Sequence, residues 1–221
     1  MKLFLKAISA LIVGIVCMGA ILFLPAGGFH YTNAWLFLGL LFVPMTILGV
    51  VLFIKSPALL EKRLNAKEKE KAQKGVIAFS ALMFPVGFLV SAFDFRYAWS
   101  SVPTFFVVFA SVLFLAGYAM YGEVMRENAY LSRTIEVQEG QTVVDTGLYG
   151  IVRHPMYLAT FLMFMPMPLI LGSFWGAIPF VFYPVIIVVR VLNEEKLLAR
   201  ELPGYADYMK KVKYRLIPFI W

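Results

Sequence analysis

Arg153 and His154 stand before one long uncharged run, Tyr157 stands at its start, and Arg190, Glu194 and Glu195 follow it. These are the side chains of this sequence best suited to charge or proton chemistry, and they are split across an apolar stretch, Pro155–Val189. If that stretch doubles back, its two ends meet. One pocket then holds two guanidiniums, an imidazole, a phenol and two carboxylates. Such a set fits a zwitterionic ligand: basic groups for its carboxylate, a Glu for its ammonium, and tyrosine faces for a cationic or flat aromatic part. Each piece also has an ordinary reading. Arg153 and His154 can anchor a helix at a membrane surface, with Pro155 in its preferred first-turn position. Arg190 and Glu194, four residues apart, can form a helix-surface pair.

The stretch must double back because it is too long to cross a bilayer once. As a single helix its 35 residues would run roughly 50 Å at ~1.5 Å per residue, and Leu171-Gly-Ser173 near its middle supplies a turn. The rest of the chain has the same character. It is 61% hydrophobic and 16% aromatic, with mean hydropathy +0.80. Only 15% of its residues are charged, against roughly 25% in soluble domains. The solvent around most of the 221 residues is therefore lipid. Further spans are predicted at about Ala7–Leu24, Ala34–Ile54, Gly75–Phe93 and Val102–Gly122, each near the ~20 residues that a bilayer requires. As drawn, these four contain no ionisable side chain beyond tyrosine, cysteine and marginal Lys or Glu, which argues against an ion-coupled transporter. The apolar core near the N-terminus is longer than a cleaved signal peptide's, so it reads as a retained span.

Basic residues set the orientation. The N-terminus has two, the 55–74 loop seven, the 123–154 loop three and the segment from Arg190 onward seven; Arg96 alone lies on the other side. By the positive-inside rule both termini and the long loops are cytoplasmic. The same distribution accounts for the net charge of +7 through membrane lipid headgroups, without nucleic acid. The lone Cys17 excludes an internal disulfide, and with only His30 and His154 a multi-histidine metal centre is not expected. The fold class is thus an all-α polytopic transmembrane bundle of five to six spans, ending in a helical hairpin. Residues 1–125 form a four-span membrane region. Residues 126–221 carry the chemistry: a cytoplasmic connector, the hairpin and an interfacial C-terminal segment. In the connector, Thr134–Gln138 and Gln141–Val144 read as a turn-back about Glu139-Gly140, followed by a second turn at Asp145–Gly147.

The run Gln138-Glu-Gly-Gln-Thr-Val-Val-Asp-Thr-Gly-Leu-Tyr-Gly-Ile-Val-Arg-His-Pro-Met-Tyr157, then Arg190-x-x-x-Glu194-Glu195, then Tyr205-x-x-Tyr208 and Pro218, resembles the isoprenylcysteine carboxyl methyltransferase family. Related membrane methyltransferases acting on phospholipids share much of this pattern. The resemblance covers about Thr134 to the C-terminus. It implies an S-adenosylmethionine site at the cytoplasmic face, formed by Gln141, Thr142, Val143, Val144, Tyr149, His154, Pro155, Met156, Tyr157 and Glu194. Either Glu136 or Gln138 would match a further cofactor-contacting residue. Arg190 would match the arginine that meets the acceptor, with Arg153 and Glu195 beside it as further catalytic candidates. The family often has Gly and an aromatic where this chain has Ala159 and Thr160, positions expected to border a lipid tunnel.

The implied activity is methyl transfer to a hydrophobic or lipidic acceptor, most simply the carboxylate of a prenylated cysteine. Holding donor and acceptor in line is then the main task, with no metal required. An amine acceptor, in a phospholipid or a small molecule, would need a base, for which Glu195 or His154 are candidates. An NADPH-dependent membrane reductase and a non-catalytic membrane scaffold are the alternatives from other classes.

Overall fold

The computed structural model describes residues 2–64, 71–131 and 137–221. Its helices follow the apolar runs: α1 Lys2–Ala26, α2 Thr32–Lys55, α4 Lys71–Tyr97 and α5 Thr104–Glu127, with a short α3 Pro57–Leu64 on the connector after α2. The hairpin rises through α6 Pro155–Phe164 and α7 Met167–Ile170. It turns and descends through α8 Ala177–Phe180 and α9 Tyr183–Glu201, and α10 Tyr205–Lys211 follows. Among the described residues, five segments are long and apolar enough to cross a membrane: α1, α2, residues 78–97 of α4, α5, and Ala177–Glu201. Their outer faces are apolar, with Phe105 72% exposed and Val16 and Leu24 likewise open. A helix facing water would place polar residues there. The protein is therefore a multi-pass membrane protein.

The two arms of the hairpin are unequal. The descending arm is a full span, whereas the rising arm, Pro155–Ile170, is short. At ~1.5 Å per residue it reaches roughly 24 Å, less than the ~30 Å hydrocarbon thickness. Pro166 lies in the break between α6 and α7, and Pro168 in the first turn of α7. The rising arm packs most closely on α5, where Gly117 permits the approach. A Cβ at that position would lie 2.9 Å from both the Ala159 carbonyl and the Met163 amide nitrogen. Ala159 is thus the counterpart of Gly117 in a helix contact. Thr160 donates its hydroxyl to the Tyr157 carbonyl. Neither lines the cleft described below.

One expectation about the spans needs correction. The helix of the third predicted span, α4, does not stop at Phe93 but runs to Tyr97, and it buries a carboxylate, Asp94, at 1% exposure. Asp94 accepts hydrogen bonds from the Ser100 amide and hydroxyl, both at 2.6 Å, and from the Ser173 hydroxyl at the hairpin tip. Ser173 Oγ in turn accepts from the Gly176 amide, and Tyr31 donates to the Leu171 carbonyl at 2.6 Å. A drawn boundary one residue short of Asp94 concealed this knot. It fixes the tip against the α1–α2 and α4–α5 turns, which leaves the charged hairpin ends together at the opposite end of the bundle.

Asp94→Ala would strand the two serine hydroxyls and the Ser100 amide. With roughly 1–3 kcal/mol per stranded buried group, the detergent-solubilised variant is expected to melt several degrees lower. Asp94→Asn, which keeps an acceptor oxygen, should lose less. Thermal unfolding followed by intrinsic fluorescence checks both, and an unchanged transition in the alanine variant would show that the tip is held by other contacts.

Candidate functional site

Local chemistry brings the hairpin ends into register. Pro155 opens α6 at its first turn, with His154 at the N-cap in a non-helical conformation. On α9, Arg190 and Glu194 are one turn apart, and Glu195 is rotated toward the core at 5% exposure. Glu195 Oε1 accepts from Arg153 Nε at 2.7 Å and lies 3.3 Å from His154 Nε2. Its other oxygen accepts from Arg215 Nε at 2.8 Å. Arg153 also donates from Nη1 to the carbonyls of Val212 and Lys213. The backbone follows the same path: Arg153 N–H donates to Tyr214 O and His154 N–H to Arg215 O. Both hairpin ends and the C-terminal segment are thus sewn together about one carboxylate.

Beside this cluster opens a cleft of about 750 Å³ including its mouth, of which about 100 Å³ is wide enough for water. The smaller figure is below the range of about 300–1,000 Å³ usual for small-molecule sites, so the cleft is narrow as it stands. A nucleotide-sized ligand would have to part the lining side chains. Tyr157 stands between the two charged groups of α9. Its hydroxyl donates to Glu194 Oε2 at 2.6 Å and receives Arg190 Nε at 3.3 Å, with the Arg190 guanidinium 5.9 Å from its ring centroid. Arg190 and Glu194 therefore meet through a phenol of the other arm, rather than as a plain surface pair.

The connector forms the opposite wall. Gln141, Thr142, Val143, Val144 and Tyr149 line the cleft with Arg153, His154, Tyr157, Arg190 and Glu194. The turn at Glu139-Gly140 is closed by the Gln141 amide on the Gln138 carbonyl. Val137 and Val143 pack on Leu202, Tyr205, Tyr208 and Val212, so the wall rests on α10. Lys211 adds an ion pair to Asp145 at 2.6 Å and pulls the exposed Asp145 carboxyl below its usual range. Gly147 is required where the wall turns back. Its φ is +51°, and a Cβ would meet the Glu127 carboxyl group at 2.9 Å. Glu127 accepts there from the Thr146 hydroxyl.

The sequence-predicted residues thus divide. Gln138, Pro155, Met156 and Glu195 do not line the cleft. Gln138 braces the wall, donating to the Tyr130 carbonyl and accepting from Lys62 on α3 and, at its amide, bonding Gln141 Oε1. Pro155 is buried as a helix start. Glu195 has no oxygen turned to the cleft, because both are occupied by Arg153, His154 and Arg215. Arg153 lines the cleft, but its Nε and Nη1 serve the cluster. Glu136 and most of the Thr134–Gln138 strip lie outside the described residues.

Sequence reasoning missed Asn128, Tyr130, Leu131 and Leu202 as lining residues, and had Leu198, Tyr205 and Tyr208 only as parts of an interfacial segment that could cover the pocket. Asn128 donates to the Tyr149 hydroxyl at 2.9 Å, and Tyr208 donates to the Tyr149 carbonyl at 2.7 Å. Burial pushes the Tyr149, Tyr205 and Tyr208 hydroxyls above the usual phenol range, so all three stay protonated donors at neutral pH. The signal for the last two was the i,i+3 spacing of two tyrosines, which also fits a headgroup anchor.

Residues 105–203 match the phospholipid methyltransferase family. The match is somewhat under half of the chain. It starts on α5 and ends just after α9, so the resemblance reaches further back than the connector and includes the helix that packs on the rising arm. That family belongs to the membrane methyltransferase superfamily that includes the isoprenylcysteine carboxyl methyltransferase-like proteins, which is the level at which the motif resemblance stands. The match implies a methyltransferase, and methyltransferases of this family generally use S-adenosylmethionine.

Removing the central carboxylate tests its role. Glu195→Ala leaves Arg153 buried and unpaired, a change that costs roughly 3–5 kcal/mol. Loss of folded protein, or a large fall in melting temperature, is expected on detergent extraction. A variant that melts like the wild type but lacks activity would instead return Glu195 to a catalytic role.

Proposed function

We propose that the protein is an S-adenosylmethionine-dependent methyltransferase whose acceptor is a lipidic molecule held in the bilayer, with its cleft on the cytoplasmic side. The observation that carries this reading is the meeting of Glu194, Tyr157 and Arg190 in one cleft beneath the connector, at the end of a bundle whose flanks face lipid. The donor set fits the cofactor. Glu194 suits an α-ammonium, the Gln141–Val144 strip and Tyr149 offer backbone and apolar contact for an adenosyl group, and the Tyr157 ring suits a sulfonium. When bound, the cofactor supplies a methyl group already activated for transfer.

The chain's own residues then position and shield. Arg190 would orient one oxygen of an acceptor carboxylate while the other attacks, and the connector and α10 would exclude water from the reacting atoms. Arg153, His154 and Glu195 would hold this geometry from behind. A carboxylate acceptor, as in a prenylated cysteine, has no proton to lose. The carboxylate reading is therefore consistent with a cleft in which Glu195 is fully occupied. The second reading, N-methylation of a phospholipid amine, is favoured by the family matched over residues 105–203. It needs a base, and Glu194 is the carboxylate that lines the cleft. Positive charge on the connectors supports the cytoplasmic orientation in both readings.

Calorimetry with S-adenosylhomocysteine on detergent-purified protein is expected to show binding that Glu194→Gln weakens at least tenfold, from the ~1.5–3 kcal/mol of a charge-assisted bond. Arg190→Ala should keep that affinity within a few-fold while turnover drops. Labelled-methyl transfer to a farnesylated cysteine analogue, and to phosphatidylethanolamine vesicles, separates the acceptors. A base-labile methyl ester marks the first and a stable N-methyl the second. No binding by monodisperse, lipid-supplemented protein would sink the proposal.

A further inference from the structure

Tyr205, the first residue of α10, is 4% exposed and lines the cleft, and its hydroxyl has no hydrogen-bond partner among the described residues. Buried polar groups are paired in the great majority of cases, so an orphan facing a cleft calls for an explanation. The contrast with its neighbour is sharp. Tyr208 belongs to the same small core and its ring lies 5.6 Å from that of Tyr205, yet its hydroxyl is satisfied by the Tyr149 carbonyl. The Tyr205 ring is therefore held as firmly as the Tyr208 ring, while only one of the two hydroxyls has a use within the chain. Residues 105–203 carry the family match, and Tyr205 lies beyond them.

The surroundings restrict what the missing partner is. Glu194 lines the same cleft, and the Glu194 and Glu195 carboxylates are near enough to Tyr205 to disfavour its phenolate. Glu195 is neutralised by Arg153 and Arg215, which leaves Glu194 as the anionic group facing the ligand. A neutral phenol beside a carboxylate can accept from a cationic N–H and donate to an anionic oxygen. One ligand group offers both within three bonds of each other: the zwitterionic end of an α-amino acid.

We propose that the Tyr205 hydroxyl binds the amino-acid end of the cofactor, completing with Glu194 a seat for its ammonium and carboxylate. This rests on the cofactor reading above. The adenosyl part then lies toward the Gln141–Val144 strip, and α10 becomes part of the binding site.

The test compares two probes on the full-length protein in detergent: S-adenosylhomocysteine, and 5′-methylthioadenosine, which has the adenosyl and sulfur atoms but lacks the amino-acid end. Tyr205→Phe keeps the ring and its packing, so its melting temperature should match the wild type. It is expected to weaken S-adenosylhomocysteine about tenfold, in line with one hydrogen bond to a charged group. The affinity for methylthioadenosine, measured by competition, should not change. Tyr208→Phe, which removes the bond to the Tyr149 carbonyl, should lower the melting temperature and weaken both probes alike. Equal S-adenosylhomocysteine affinity in wild type and Tyr205→Phe would overturn the proposal, the hydroxyl then being served by water. Equal weakening of both probes would also overturn it, placing Tyr205 at the adenosyl part. If the wild type binds neither probe, the cofactor reading itself fails and this proposal with it.

Discussion

The site depends on one buried carboxylate. Glu195 gathers Arg153 and His154 from the start of the hairpin and Arg215 from beyond α10. A charge so deeply placed is tolerable only when it is paired and its lone pairs are used. Here the pairing decides topology as well as solvation. Three segments distant in sequence have to converge for the carboxylate to be satisfied, and their convergence creates the cleft beside it. The Arg153 bonds to the Val212 and Lys213 carbonyls and the two backbone bonds from residues 153 and 154 extend the same junction. The rest of the cleft is arranged around this fixed floor.

At the other end of the bundle Asp94 does a comparable job for the hairpin tip. The rising arm is short and broken by prolines, so it does not reach across the bilayer by itself. Its tip is bonded to the end of α4 through Ser173 and to the α4–α5 turn through the Phe174 amide and Ser100, and Tyr31 reaches it from the α1–α2 turn. A helix too short to span can therefore remain in a membrane interior, because its exposed backbone end is buried in protein rather than in lipid. The close contact at Gly117 completes the support along its length.

Much of this was legible in the sequence. Uncharged run lengths gave the helices, and the turn at Leu171–Ser173 gave the hairpin that brings residues 153–157 to residues 190–195. What stayed hidden depended on direction rather than residue type. Glu194 and Glu195 are adjacent and chemically alike, and only the helix rotation shows that one faces the cleft and the other the core. Asp94 fell just outside the predicted span, because a hydropathy boundary cannot tell a carboxylate facing headgroups from one facing serines. Tyr205 and Tyr208 read equally well as interfacial anchors. Their role as cleft wall arises from α10 folding back onto the connector, a contact between segments that no local pattern encodes.

The position of Tyr157 has a thermodynamic implication. Its single hydroxyl serves both Glu194 and Arg190, and it has one proton to give. A ligand ammonium that donates to the Glu194 carboxylate competes with the phenol for that acceptor, and a phenol that no longer donates is a poorer acceptor for Arg190. A ligand that claims Arg190 withdraws the donor that polarises the phenol and so weakens its bond to Glu194. The occupancy of each charged group is thereby felt at the other, and linkage requires the coupling to be the same in both directions. Two molecules arriving from different phases, one through water and one through lipid, would sense each other through one oxygen atom.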